Sequence, residues 1–209
     1  MKTLAIVGAG HLGQQIAHYA ITDGHYQKVV YFDDFTSKNK IGDFNVLGKI
    51  SEVSEKFKNG DFDELIIGIG YKHLNVRKKI FKTYYKKIPF ATIIHSSSWI
   101  DVSAVIEEGC IIYPKCEIDQ KAIIKFNSVL NLGCSIAHDS IINEHCFLSP
   151  RVAVAGFVSI EEECVLGINC TIIDNLKIAK KTQIGAGAVV TKAISRSGVF
   201  YGNPAKFIR

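Results

Sequence analysis

The chain has 209 residues and a mass of 23.1 kDa, is 47% hydrophobic and 22% charged, and has a mean hydropathy of +0.15. That balance excludes wholesale disorder, collagen and coiled coil, and supplies material for one or two hydrophobic cores. A net charge of +5, with 20 acidic residues interspersed among 25 basic ones, demands no broad polyanion-binding surface, so nucleic acid is not an expected partner.

No apolar run approaches the roughly 20 residues that span a bilayer, so no membrane insertion is expected. The first twenty residues imitate a secretory leader, with Lys2, the apolar Leu4 to Val7 and Ala17-His18-Tyr19-Ala20 in place of a cleavage site. Gly8, Gly10 and His11 interrupt that apolar core, and a buried strand entering a glycine turn explains the segment better.

In chain order, Leu4 to Val7 reads as a strand ending in Gly8-Ala9-Gly10, followed by a helix with Leu12, Ile16, Ala17 and Ala20 on one face. Val29 to Phe32 is a second strand, ending at Asp33-Asp34. Glu64 to Ile69 is a third, ending at Gly70, with a basic amphipathic helix from Leu74 to Tyr85 behind it. Three or four strands alternating with helices predict a small Rossmann-like parallel sheet over residues 1–90, about half a full dinucleotide-binding fold.

From Ile94 the period changes. Every sixth residue through Val190 is Ile, Leu or Val, and four residues after each member through Ile184 stands a small residue, with Leu176 alone larger than valine. A helix repeats at 3.6 and a flat strand at 2, so an unbroken six predicts a chain coiling as short strands joined by regular corners over residues 91–209. All six cysteines fall in the small slot, which predicts that they point inward as small apolar residues, not as disulfides or metal ligands. Free thiols suit a reducing, cytoplasmic location.

This hexapeptide series resembles the left-handed parallel β-helix of the hexapeptide-repeat acyltransferases, in which three hexapeptides make one triangular coil of eighteen residues. The likeness covers residues 94 to 190 and continues into Gly202-Asn203-Pro204-Ala205-Lys206, which is similar to the closing turn of those enzymes. With the preceding Gly8-Ala9-Gly10-His11 and Phe32-Asp33-Asp34-Phe35, it narrows to the sialic acid O-acetyltransferase and nucleotide-aminosugar N-acetyltransferase group. The resemblance implies a nucleotide-sugar-binding domain followed by a left-handed β-helix acetyltransferase domain with a C-terminal tail. It also implies acetyl-CoA as co-substrate and a homotrimer with active sites between neighbouring β-helices.

His138 and Asp139 follow Ile136 by two and three residues, at a corner where adjacent side chains can act together. Acetyl transfer to an amine or hydroxyl needs a base, and imidazole suits that task near neutral pH. The resemblance gives Asp139 the task of orienting the ring. Gly156, eighteen residues beyond His138, is expected to stack on it one coil later, and in the resembling enzymes that position supplies an N–H to the oxyanion. The backbone of Ile168 and Ala186 matches the family's contacts to pantetheine. Lys192, Arg196, Lys206 and Arg209 are placed to meet the phosphates of coenzyme A.

The family often has a second histidine nine residues after the base, where this chain has Phe147. Either His145 takes over that contact to acetyl-CoA, or the contact is lost and Phe147 packs on the thioester; corner geometry favours loss. His95 reads as a surface residue.

Gly8-x-Gly10-x-x-Gly13, with Asp33 twenty residues past Gly13, satisfies the dinucleotide fingerprint as written. A half-sized domain followed by a β-helix argues against NAD, whereas the same backbone N–H groups and helix dipole suit any nucleotide phosphate. Ala9, Gly10 and His11 are therefore assigned to a nucleotide-sugar, with Asp33 and Asp34 near its base or ribose and Gly70 lining the cleft. Gly8 and Gly13 read as turn and packing glycines, and Asp34 equally suits a loop cap. Arg77, Lys78, Lys79, Lys82, Lys86 and Lys87, interleaved with Phe81, Tyr84 and Tyr85, read as a solvated helix face.

The expected reaction is N-acetylation of a nucleotide-linked amino-dideoxy sugar by direct transfer from acetyl-CoA, without metal, NAD or an acyl-cysteine intermediate. O-acetylation of sialic acid or a related sugar hydroxyl is the alternative. A γ-type carbonic anhydrase would need three histidines on one metal, a spacing that His95, His138 and His145 do not match. A non-catalytic nucleotide-sensing scaffold would not depend on His138.

Overall fold

The computed structural model describes residues 2–209. It divides into one compact unit ending at Ile93 and another running from Ile94 to Arg209.

In the first unit β1 (Thr3–Val7) lies between β2 (Lys28–Phe32) and β5 (Glu64–Ile67), all parallel. Leu4 to Val7 and Leu65 to Ile67 are fully buried, as expected of strands covered on both faces. Beyond β2 the sheet continues into β4 (Phe44–Gly48), parallel to β2, and β3 (Lys40–Ile41), antiparallel to β4. The sheet is thus five-stranded and mixed, in the order β3-β4-β2-β1-β5, where the sequence predicts three or four parallel strands. The difference is a hairpin whose two-residue loop, Gly42-Asp43, begins with a glycine at φ +57°. Helices α1 (His11–Thr22), α2 (Val53–Lys58) and α3 (Leu74–Tyr84) complete the unit. Because the chain crosses from β4 past β2 and β1 to reach β5, the strand order reverses beside β1, and a crevice opens at the strand ends there.

In the second unit two-residue strands stack in strict eighteen-residue register, such as Glu117↔Ser135 and Ile118↔Ile136. They form three parallel faces. The first carries Trp99–Ile100, Glu117–Ile118, Ser135–Ile136, Ala153–Val154, Thr171–Ile172 and Val189–Val190. The second runs from Val105–Ile106 to Lys177–Ile178, and the third includes Ile111–Ile112 through Thr182–Ile184, continued by Gly198–Tyr201 and antiparallel Lys206–Phe207. The every-sixth aliphatic is buried from Ile112 through Val190, whereas Ile94, Ile100 and Ile106 in the first turns are partly buried against the same core.

A third slot completes the hexapeptide. Three residues after each aliphatic, fourteen consecutive corners from Gly109 to Gly187 have positive φ, eleven of them at residues other than glycine. Left-handed backbone favours Gly and Asn, because a β-carbon crowds the next carbonyl. The occupants are indeed Gly, Asn or other polar residues, with Phe157 the single apolar exception.

The small slot does more than save space. Ser98, Cys110, Cys116, Ser128, Cys134, Ser140, Cys146 and Cys164 each donate to the carbonyl fifteen residues ahead, at 2.7–3.3 Å. A corner carbonyl buried without a partner would carry the desolvation cost of an unmade hydrogen bond, and these rungs supply one. All six cysteines are free and buried. Five are therefore S–H donors, not only the apolar fillers that the spacing predicts. Burial pushes the Cys170 thiol up to about 12 and holds Cys146 well above the usual thiol range, so both stay neutral.

Candidate active site

His138 and Gly156 occupy equivalent positions in successive coils, at the corner between the first and second faces. The His138 ring lies against the Gly156 backbone: a β-carbon built on Gly156 would stand 2.7 Å from Cε1, 2.8 Å from Nε2 and 3.3 Å from Nδ1. Only glycine leaves that space. Asp139 Oδ2 is 3.0 Å from His138 Nδ1. With Nδ1–H donating to the carboxylate, the lone pair sits on Nε2, the nitrogen above Gly156. The two side chains are 40% and 30% exposed, enough for an acceptor to reach them.

The corner is held from behind by a residue the sequence marks only as small. Ser140 Oγ donates to Ala155 O at 2.7 Å and accepts from Val158 N–H at 3.0 Å, bracketing Gly156 and Phe157. Ala155 and Phe157 N–H groups donate to Ile172 O and His138 O. Among the described residues, Gly156 N–H between them has no acceptor and remains available. The Phe157 ring stands edge-on to the imidazole, centroids 5.1 Å apart and planes at 86°.

The other expected residues fall elsewhere. Ile168 and Ala186 share the corner between the third and first faces, linked by a Gly187 N–H to Ile168 O bond, so they flank the first face on the edge opposite His138. Lys206 is exposed in the terminal strand. His145 and Phe147 are the two alternatives for the contact to acetyl-CoA. His145 lies at the remaining corner, between the second and third faces, 4% exposed, with Nδ1 2.9 Å from Asn127 Nδ2. Phe147, on the third face, is 5% exposed. Within one chain neither stands beside His138, because seven residues leads to the next corner and nine, half a coil, to another face. His95 bonds locally to Ser97. No cluster of three or more His, Cys, Asp or Glu could hold a metal ion among the described residues.

In the first unit a cleft of about 410 Å³ opens at the ends of β1, β2 and β5, lined by Gly10, His11, Asp33, Asp34 and Gly70 together with Phe35 and His73. Helix α1 begins at Gly10 with no side-chain cap, leaving its first N–H groups for a ligand. A β-carbon on Gly10 would meet nothing within 4 Å, while one on Gly13 would stand 1.9 Å from Gly8 O and one on Gly68 2.6 Å from Gly13 Cα. Gly8, Gly13 and Gly68 therefore pack helix against strand, and Gly10 faces open space.

Two acidic residues turn out to organise the cleft. Asp33 Oδ2 accepts Ala9 N–H at 2.8 Å, and Oδ1 accepts Phe35 and Thr36 N–H at 2.8 and 2.9 Å. Ala9, 6% exposed, lines no part of the cleft and has its N–H engaged, so the backbone donors left to a phosphate begin after Gly10. Asp34 Oδ1 accepts Ile50 N–H at 2.9 Å, the loop-capping contact, while still bordering the cleft. On the far wall, buried Arg77 donates to Ile67 and Ile69 carbonyls at 2.5 and 3.1 Å, fixing the Gly68–Gly70 turn. Arg77 is 0% exposed and does not belong to a solvated face.

Residues 3–84 match the family model for the PglD N-terminal domain. The first unit is thus similar to the PglD N-terminal domain. Solved structures extend the likeness to the whole chain. The acetyltransferase domain of PglB from Neisseria gonorrhoeae is 24% identical, with 100% of both chains covered and a TM-score of 0.91. Perosamine N-acetyltransferase from Caulobacter crescentus, solved with CoA and GDP-perosamine, is 23% identical over 100% of this chain and 98% of that one, with a TM-score of 0.92. WeeI from Acinetobacter baumannii is 21% identical, with both chains fully covered and a TM-score of 0.82. Among curated proteins none matches by sequence. The likeness therefore shows the fold: a small α/β unit similar to the PglD N-terminal domain, followed by a left-handed parallel β-helix.

Proposed function

We propose that the protein is an acetyl-CoA-dependent N-acetyltransferase acting on a nucleotide-linked amino-dideoxy sugar in glycan biosynthesis. The observation that carries this is the stacking of the His138 imidazole, paired with Asp139, against the backbone of Gly156, whose N–H has no acceptor among the described residues. The solved relatives that share the fold include one crystallised with acetyl coenzyme A and one with CoA and GDP-perosamine.

In this mechanism His138 Nε2 takes a proton from the acceptor amine as its nitrogen attacks the thioester carbonyl. Gly156 N–H holds the oxyanion of the tetrahedral intermediate. The C–S bond then breaks, and the proton passes from the imidazolium to the departing thiolate. Asp139 stabilises the imidazolium. Ile168 and Ala186 contact the pantetheine arm, and Lys206 meets the coenzyme A phosphates. The cleft of the first unit takes the nucleotide diphosphate at the α1 N-terminus, with Gly10, His11, Asp34 and Gly70 around it. The cleft lining itself holds Asp33 and Asp34 and no Lys or Arg, so the α1 N-terminus, not side-chain charge, is what supports a diphosphate there. The working form is a cytoplasmic homotrimer with active sites between neighbouring β-helices.

The test is incubation with acetyl-CoA and a panel of UDP-, dTDP- and GDP-linked 4-amino sugars, with sialic acid and the 4-hydroxy sugars as alternative acceptors, read by mass spectrometry. Acetylation of an amino sugar that depends on His138 is the expected result. Acetylation confined to hydroxyl acceptors would favour the O-acetyl reaction, and no product with any acceptor would overturn the proposal.

A further inference from the structure

Phe157 breaks the rule of its slot. It sits at φ +57° in the corner series otherwise filled by Gly, Asn and other polar residues, where a bulky apolar side chain is least at ease. Its ring is 56% exposed, so it contributes little to the core. A strained backbone position and an exposed aromatic are two local costs at one residue, and such costs concentrate where a ligand is handled. The ring lies edge-on to His138, one residue past Gly156.

Resting on the acetyltransfer reading above, we propose that Phe157 is a contact for the acceptor sugar, presenting its ring to the apolar C–H face of the pyranose whose amine His138 deprotonates. Chain direction sets the side. The first-face strands run from the Ile168/Ala186 edge toward Gly156, and Phe157 lies beyond Gly156 along that path. An arm crossing that face meets the Gly156 N–H first, leaving the Phe157 side of the imidazole to the acceptor. The negative face of an aromatic ring attracts electropositive C–H groups, and the contact excludes water beside the base.

The test uses Phe157→Asn, because Asn127, Asn169 and Asn175 already occupy equivalent left-handed corners, together with Phe157→Tyr. Expected for Phe157→Asn is a rise of about tenfold in KM and in calorimetric Kd for the amino-sugar nucleotide, with the KM for acetyl-CoA within about twofold and Phe157→Tyr close to wild type. Sugar affinity unchanged in Phe157→Asn would overturn the inference. So would a rise confined to acetyl-CoA, or loss of the oligomer by light scattering, which would make Phe157 a subunit contact. If the wild type binds an amino-sugar nucleotide without acetylating any acceptor, the acetyltransfer reading fails while the Phe157 contact is still decided by Kd. No binding to any panel member overturns both.

Discussion

The His138 imidazole rests on Gly156 so closely that a single methyl group would stand 2.7 Å from its Cε1 and 2.8 Å from its Nε2. Gly156 has no positive φ, so alanine is tolerated by the backbone and excluded only by the ring. Gly156→Ala is expected to push the imidazole off the corner and lower kcat by about 100-fold, a typical general-base contribution, with a melting temperature close to wild type. Steady-state kinetics alongside calorimetry check both halves.

Asp139 occupies a left-handed corner at φ +57°, which asparagine tolerates equally well. Asp139→Asn keeps the shape and removes the charge that holds the Nδ1 proton. Turnover should fall by one to several orders of magnitude, on the order of other orienting carboxylates, with stability unchanged. An undiminished kcat would exclude Asp139 from the mechanism.

Ser140 joins two coils through one hydroxyl. Ser140→Ala leaves Ala155 O and Val158 N–H without that partner in the interior, which is expected to cost about 1–3 kcal/mol of unfolding free energy. Because those groups bracket Gly156, kcat should fall as well. Denaturant titration measures the first effect.

Gly10 and Gly13 should respond in opposite ways. Gly13→Ala drives a β-carbon to 1.9 Å from Gly8 O and is expected to destabilise the first unit, while Gly10→Val keeps the fold and fills the entrance to the cleft. Loss of nucleotide binding with an unchanged melting temperature in Gly10→Val is the result to look for by calorimetry.

Burial pushes the Tyr31 hydroxyl up to about 12, and burial together with the Glu64 hydrogen bond drives Tyr26 higher still. Both are neutral in the folded chain at a pH where the unfolded chain has begun to ionise, near 10. Their contribution is complete below that pH and falls as pH rises through the folded values, by about 1.4 kcal/mol per pH unit for each residue. Unfolding free energies measured from pH 9 to 12 should show the decline, and Tyr31→Phe should remove one part of it.

Much of the β-helix was legible because its chemistry repeats: the aliphatic every sixth residue fixes the coil, and the eighteen-residue coil fixes His138 over Gly156. Spacing does not encode the chemistry carried by atoms that size classes ignore. Cys110 and Ser140 looked small, yet each is a hydrogen-bond donor across coils. Phe157 was visible as the one apolar member of the corner slot, a column that the aliphatic and small series do not include. The hairpin at Gly42-Asp43 has no periodic signature, because β3 spans two residues, too few for any period to register. Asp33 lies beside the glycine loop and lines the cleft as its spacing predicts, while its bonds to Ala9 and Phe35 N–H depend on loop closure, which spacing does not encode.

The eighteen-residue register also limits how such a chain can change length. Inserting or deleting one hexapeptide between Ile142 and Val154 would turn everything downstream by a third of a revolution, carrying Gly156 to another edge while every aliphatic stayed inside. The prism would survive and the reaction centre would not, whereas exchange of a whole coil of eighteen residues ahead of Gln120 would lengthen or shorten the scaffold and leave His138 and Gly156 on one edge.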